Sequence, residues 1–121
     1  MTEFEKKNLL LKIENDRSLI LFLNNEGYKK VAICGYREFG RVLYDRLKDC
    51  DFEISFIIER NYESLRMTED IDAPIVGFKD IQYQADVVII TPDLDYELVK
   101  ECINLAGIEI SVILLTDIIM G

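Results

Sequence analysis

The chain has no histidine and no tryptophan, and only three of its 121 residues are cysteine. Without histidine there is no Cys-His set to hold zinc and no imidazole to serve as a general base near neutral pH. Cys34, Cys50 and Cys102 form no Cys-x-x-Cys pair, and their odd number builds no disulfide framework, so reduced thiols and a cytoplasmic setting are expected. Cys34 ends an apolar run and Cys102 falls in a helical pattern, which makes both read as buried, inert thiols. Positive charge is scarce: Lys+Arg 14 against Asp+Glu 23 leaves a formal net charge of -9. The closest basic pairs, Lys6-Lys7 and Lys29-Lys30, are too short for an electrostatic footprint, so neither nucleic acid nor an anionic membrane is an expected partner. Long apolar runs are missing as well. The N-terminus carries acids where a signal peptide carries only bases, and its longest apolar run is Leu19 to Leu23, so no leader or anchor is expected.

What is present is a globular balance, 50% apolar and 31% charged, in a length that suits one domain. Thr2 and Glu5 have the spacing of a capping box, and Leu9, Ile13, Ile20 and Leu23 fall on one helical stripe that Gly27 closes. Asn15-Asp16 is a place for this helix to bend or split. Leu19 to Leu23 is apolar all round, so a single sheet cannot cover it and a second partner is implied. We therefore expect residues 1–27 to form an N-terminal helical arm that joins two copies in a homodimer, the alternative being a helix wedged into its own core.

From residue 28 the pattern changes to alternating strands and helices. Val31-Ala32-Ile33-Cys34 is a short buried strand, and Phe39, Val42, Leu43 and Leu47 mark the apolar face of the helix that follows. Phe52 to Ile58 is the second strand and Glu59 to Ala73 a loop. Pro74 to Gly77 is a minimal third strand and Asp86 to Ile90 the fourth. Asp93 to Ala106 is a helix capped by Asp93 and closed by Gly107, and Glu109 to Leu115 is the fifth strand. With right-handed crossovers this predicts an α/β, Rossmann-like domain over 28–121: a parallel five-stranded sheet of order 3-2-1-4-5 with helices on both faces. Ligands bind such sheets at the carboxyl edge where strand order reverses, here between the first and fourth strands.

The turn at that place is Gly35-Tyr36-Arg37-Glu38-Phe39-Gly40. In the dinucleotide fingerprint Gly-x-Gly-x-x-Gly, the first glycine makes the turn, the second lets a diphosphate approach the backbone, and the third seats helix on strand. Gly35 and Gly40 fill the first and third places, but Arg37 fills the second. Three outcomes stay open: lost binding, phosphate binding altered by the guanidinium, or ordinary dinucleotide binding. Glu59, at the end of the second strand, is placed to hold ribose hydroxyls and favours NAD, whereas Arg60 beside it could serve the 2′-phosphate of NADP.

The stretch from Lys29 to Gly35, continued by Gly40-Arg41-Val42-Leu43-Tyr44, resembles the Rossmann-like domains of bacterial polysaccharide-biosynthesis clusters, the nucleoside-diphosphate-sugar epimerase or dehydratase-like proteins. Ile89-Ile90-Thr91-Pro92 is similar to the fourth-strand Thr-Pro turn of the glucose-fructose-oxidoreductase type of dehydrogenases. The resemblance implies an NAD-like or nucleotide-sugar-like ligand and adds Thr91 and Pro92 to the candidate site. Those families carry glycine at position 37, and the dehydrogenases place a histidine after the Thr-Pro turn that this chain does not have.

No catalytic constellation assembles from the remaining residues. Tyr96 and Lys100 match Tyr-x-x-x-Lys, but they fall on the helix after the fourth strand, where an ordinary surface pair is expected. Asp93 and Asp95 are acids at a helix start, a common structural use. The expected function is therefore a non-catalytic nucleotide-binding or sensing domain in bacterial glycan or sugar-nucleotide metabolism. Two alternatives remain: an interaction or scaffold protein with a degenerate site, and a small NAD(P)-dependent oxidoreductase or epimerase completed by a partner.

Overall fold

A computed structural model describes residues 1–59, 71–92, 94–107 and 109–119. Five strands form one parallel sheet: β1 (Lys30–Cys34), β2 (Glu53–Ile58), β3 (Ile75–Val76), β4 (Val87–Ile90) and β5 (Ser111–Leu114), in the order β3-β2-β1-β4-β5. The expected sheet is thus the observed one, and its frame is Rossmann-like. The strands read as unbroken apolar runs because both faces are covered. Residues that alternate along each strand divide between two cores. Val31, Ile33, Ile57, Val87 and Ile89 face one side; Ala32, Cys34, Phe56, Ile58, Val88 and Ile90 face the other.

The first face is covered by α1 (Glu3–Asn15), α2 (Ser18–Asn25), α3 (Glu38–Asp49) and the short α5 (Leu115–Ile119), the second by α4 (Tyr96–Leu105). The capping box at the head of α1 is complete, with the Glu5 amide donating to Thr2 Oγ1 at 3.1 Å and the Thr2 amide to Glu5 Oε1 at 3.3 Å. The helix stops at Asp16, whose backbone is extended and whose carboxylate accepts from the Ser18 amide at 2.8 Å and the Ser18 hydroxyl at 2.6 Å. That local hydrogen bonding opens a second helix, so the N-terminal segment is two helices.

Leu9, Ile13, Leu19 and Leu23 are fully buried in the same core as Val31, Ile33 and Phe39. The all-round apolar stretch finds its second partner inside the chain: α2 packs on α5, which buries Leu115 and Ile119, and Leu21 alone of Leu19 to Leu23 is left exposed. The α5 turn of helix follows β5 directly, where the sequence reads as a strand running to Leu115. Asp95, not Asp93, caps α4, accepting from the Leu98 amide at 3.2 Å; Asp93 lies outside the described residues. No helix among the described residues is long and apolar enough to cross a membrane.

Two further ties position the ends of the strands. The Asp86 carboxylate accepts from the amides of Lys29 and Lys30 at 2.8 and 2.9 Å, joining the starts of β1 and β4. Tyr44 Oη accepts from the Asp72 amide at 3.1 Å while Lys48 Nζ donates to the Asp72 carboxylate at 2.7 Å, which pins the approach to β3 against α3.

Candidate functional site

The turn from Gly35 to Gly40 links β1 to α3 at the carboxyl edge, beside the point where strand order reverses between β1 and β4. Its two glycines are required for different reasons. Gly35 has φ +97°, in the region that favours glycine, and a methyl there would overlap Thr91 Oγ1 and press on Leu94. Gly40 is helical, but a methyl on it would overlap the Gly35 carbonyl oxygen and sit 3.0 Å from the Gly35 carbonyl carbon. Helix α3 is therefore seated on the turn by backbone-to-backbone contact. Arg37 has φ −108°, which any L-residue adopts. A glycine at 37 would be demanded only by something approaching from outside, and this chain places an exposed guanidinium there instead.

The side chains of Tyr36 and Phe39 turn inward. Phe39 is buried in the first core, and the Tyr36 ring stands edge-on to Tyr44 at 6.1 Å between centroids. Burial pushes the Tyr36 hydroxyl up from its ordinary value, and the nearby Arg41 guanidinium works against that shift. Both residues thus face the site with backbone alone. Arg37 and Glu38 are exposed, and Arg37, the residue at the cap position, makes no side-chain hydrogen bond to α3. The first-turn amides of α3 have no intrahelical acceptor, and the positive end of the helix dipole lies there.

Glu59 is brought to the same turn. It is 3% exposed, and its Oε2 accepts from the Tyr36 amide at 2.6 Å. One amide of the turn is thereby occupied by a carboxylate of the chain itself. The acid at the end of β2 was legible from its position; this bond was not, because it joins residues 23 apart in sequence. Arg60 lies outside the described residues. On the other side Thr91 follows β4, its amide donating to the Cys34 carbonyl at 3.0 Å. Its hydroxyl is fully buried against Gly35 and has no hydrogen-bond partner among the described residues. Pro92 beside it is half-buried. The structure therefore gathers Gly35 to Gly40, Glu59, Thr91 and Pro92 around one turn.

Other chemistry-bearing residues lie elsewhere or are inert. Burial pushes the Cys34 thiol up to about 12, with the Glu59 carboxylate adding in the same direction, so it stays protonated and is a poor nucleophile. Tyr96 directs its hydroxyl to the Val112 carbonyl on β5 at 3.5 Å, and Lys100 Nζ stands over its ring at 5.7 Å, away from the turn. Leu94, packed on Gly35, and Lys6, which pairs with Glu38 at 2.5 Å, complete the surroundings. Neither carries a sequence signal, since both meet the turn only through tertiary packing.

No protein-family description matches the sequence, and no curated protein matches it. Among solved structures the chain is similar to a chorismate mutase/shikimate 5-dehydrogenase fusion protein from Clostridium acetobutylicum, with 16% identity and a TM-score of 0.46. The match covers 80% of this chain and 47% of that one.

Proposed function

We propose that this domain binds a nucleotide-type ligand through the Gly35 to Gly40 turn, in a binding or sensing role. The observation that carries the proposal is the N-terminus of α3 at the sheet's switch point, where the exposed Arg37 stands at the cap position and its side chain makes no hydrogen bond to the helix. Those amides and the helix dipole favour an anion, and a guanidinium in place of the second glycine adds charge-assisted hydrogen bonds to phosphate oxygens. The buried, unpartnered Thr91 hydroxyl next to Gly35 supports a polar ligand atom at the same turn. NAD, NADP and nucleotide sugars are the ligand classes that fit. The sequence resemblance to polysaccharide-biosynthesis proteins is what supports a role in sugar-nucleotide metabolism.

Thermal unfolding with NAD, NADP, ADP-ribose and UDP-sugars at millimolar concentration tests the proposal. A rise in melting temperature with at least one of them is expected, and no rise with any of them sinks it. An Arg37→Gly variant then decides the arginine's role: weaker binding means that it holds phosphate, tighter binding that it blocks. One observation favours a second reading, a scaffold that has kept the frame without the ligand. The Glu59 carboxylate already occupies the Tyr36 amide, as an internal substitute for a bound anion. A homodimer through the N-terminal helices belongs to either reading and is supported by Leu11 and Leu21, both exposed there.

A further inference from the structure

Helix α1 is apolar on two opposite faces. Leu9 and Ile13 on one of them are buried in the first core. On the other, Phe4 and Leu11 are 74% and 51% exposed, and they alternate with the exposed Asn8 and Asn15 at steps of four, three and four residues. That is the spacing of a helix-pairing seam, the a and d positions of a heptad. An open hollow of about 450 Å³ lies along it, lined by Asn8, Leu11, Lys12, Asn15 and Asp16. The Asn15 side-chain amide donates to the Leu11 carbonyl at 2.9 Å, so part of its polarity is already satisfied on the helix itself.

The charges that flank the stripe decide what can cover it. In the same heptad Glu5 and Lys12 hold the e positions and Lys7 and Glu14 the g positions, all of them exposed and two of each sign. Among the described residues Lys7 and Glu14 form no ion pair. A chain of net charge -9 repels its own copies over most of its surface, and this stripe is a neutral exception. Two such helices paired in parallel bring g against e, which sets Lys7 against the partner's Lys12 and repels. An antiparallel pair brings g against g and e against e. With Phe4 opposite the partner's Asn15, Lys7 stands within two residues of the partner's Glu14, about 3 Å along the axis, and Glu5 equally close to the partner's Lys12. Sliding the register by one heptad in either direction opposes like charges instead.

We propose that a second copy of this chain covers this face, with α1 pairing antiparallel to α1 of the partner about a two-fold axis near residues 9 and 10. The proposal rests on the homodimer reading above. It assigns the contact to α1 and leaves Leu21 of α2 outside it.

Sedimentation equilibrium of the full chain, from about 10 µM to 1 mM, tests the pairing. The wild type should form a dimer, Leu11→Asp should abolish it, and Leu21→Asp should associate as the wild type does. Lys7→Glu sets like charges at both g contacts, and Glu14→Lys does so with the opposite sign. Each should raise the dissociation constant by about tenfold. Both exchanges place the sign that the helix dipole favours at its own end of α1, so both variants should remain folded. An equimolar mixture of the two should associate as tightly as the wild type, because each chain then meets the complementary charge. If the mixture is as weak as either variant alone, or if Leu21→Asp dissociates the dimer and the α1 variants do not, the antiparallel pairing fails and the homodimer reading stands. If the wild-type chain is still a monomer at the highest concentration, both fall together.

Discussion

Replacing Gly40 by alanine should lower stability although it removes a glycine from a helix. In an unconstrained helix interior the exchange is worth up to about 1 kcal/mol in the opposite direction. Here the added methyl overlaps the Gly35 carbonyl oxygen and lies 3.0 Å from the carbonyl carbon, and neither atom belongs to a side chain that can swing away. The turn is held from several sides. The Gly35 amide donates to the Ile58 carbonyl at 2.8 Å, the Tyr36 amide to Glu59 at 2.6 Å, and Thr91 and Leu94 pack against Gly35. Relief must come from lifting α3 off β1, which disturbs Phe39, Leu43 and Leu47 in the core. Overpacking of this kind costs about 1–3 kcal/mol, and contact with fixed backbone puts the net loss near the upper half of that range, about 2 kcal/mol. For a domain of this size that lowers the melting temperature by about 5–10 °C. Circular dichroism melts of the wild type, Gly40→Ala and Arg37→Ala measure it. Arg37→Ala, exposed and at an ordinary φ, should stay within about 0.5 kcal/mol of the wild type. A Gly40→Ala protein that melts at or above the wild-type temperature would refute the seating of α3 on the turn.

Acid stability should depend on Asp86. Its hydrogen bonds from the Lys30 and Lys29 amides hold the carboxyl below its ordinary value of 3.8, so its contribution is present above that pH and fades as pH falls through the lowered native value. An Asp86→Asn variant should melt below the wild type at pH 7, and the gap should narrow below about pH 4; a gap independent of pH would show that the charge contributes nothing. Cys34, protonated and buried, should resist iodoacetamide in the native chain and label on unfolding, as peptide mass mapping would show. Rapid native labelling would mean that the β1 end is open. Loss of the Asp95 cap in Asp95→Ala should cost about 1 kcal/mol, read from the urea midpoint. Light scattering tests the homodimer: a monomer mass removes the role proposed for Leu11 and Leu21.

The sheet order was legible because each strand is a short apolar run closed by turn residues, and right-handed crossovers leave few ways to arrange five of them. The split at Asp16 was legible too, since Asn and Asp compete locally with the helix. Helix α5 was not: Leu115 continues the apolar run of β5, and what makes it helical is its packing on α2, ninety residues and more away in sequence. Asp93 and Asp95 both suit a cap, and spacing did not separate them. At the site, Gly35 and Gly40 were read for the reasons that the structure supports. The Tyr36 bond to Glu59 and the pairing of Lys6 with Glu38 depend on chain segments meeting in space, which periodicity does not encode.

The depth at which α1 and α2 enter the first core bears on how this chain can be cut. A fragment beginning at Tyr28 would keep every strand, yet it would bare the surfaces of Val31, Ile33, Phe39 and Leu43 that Leu9, Ile13, Leu19 and Leu23 help to cover. Such a fragment is expected to aggregate, which size-exclusion chromatography would show. Grafting the fold onto another protein should therefore carry α1 and α2 along, since the covering of the sheet includes Leu9 and Ile13 of α1 and Leu19 and Leu23 of α2.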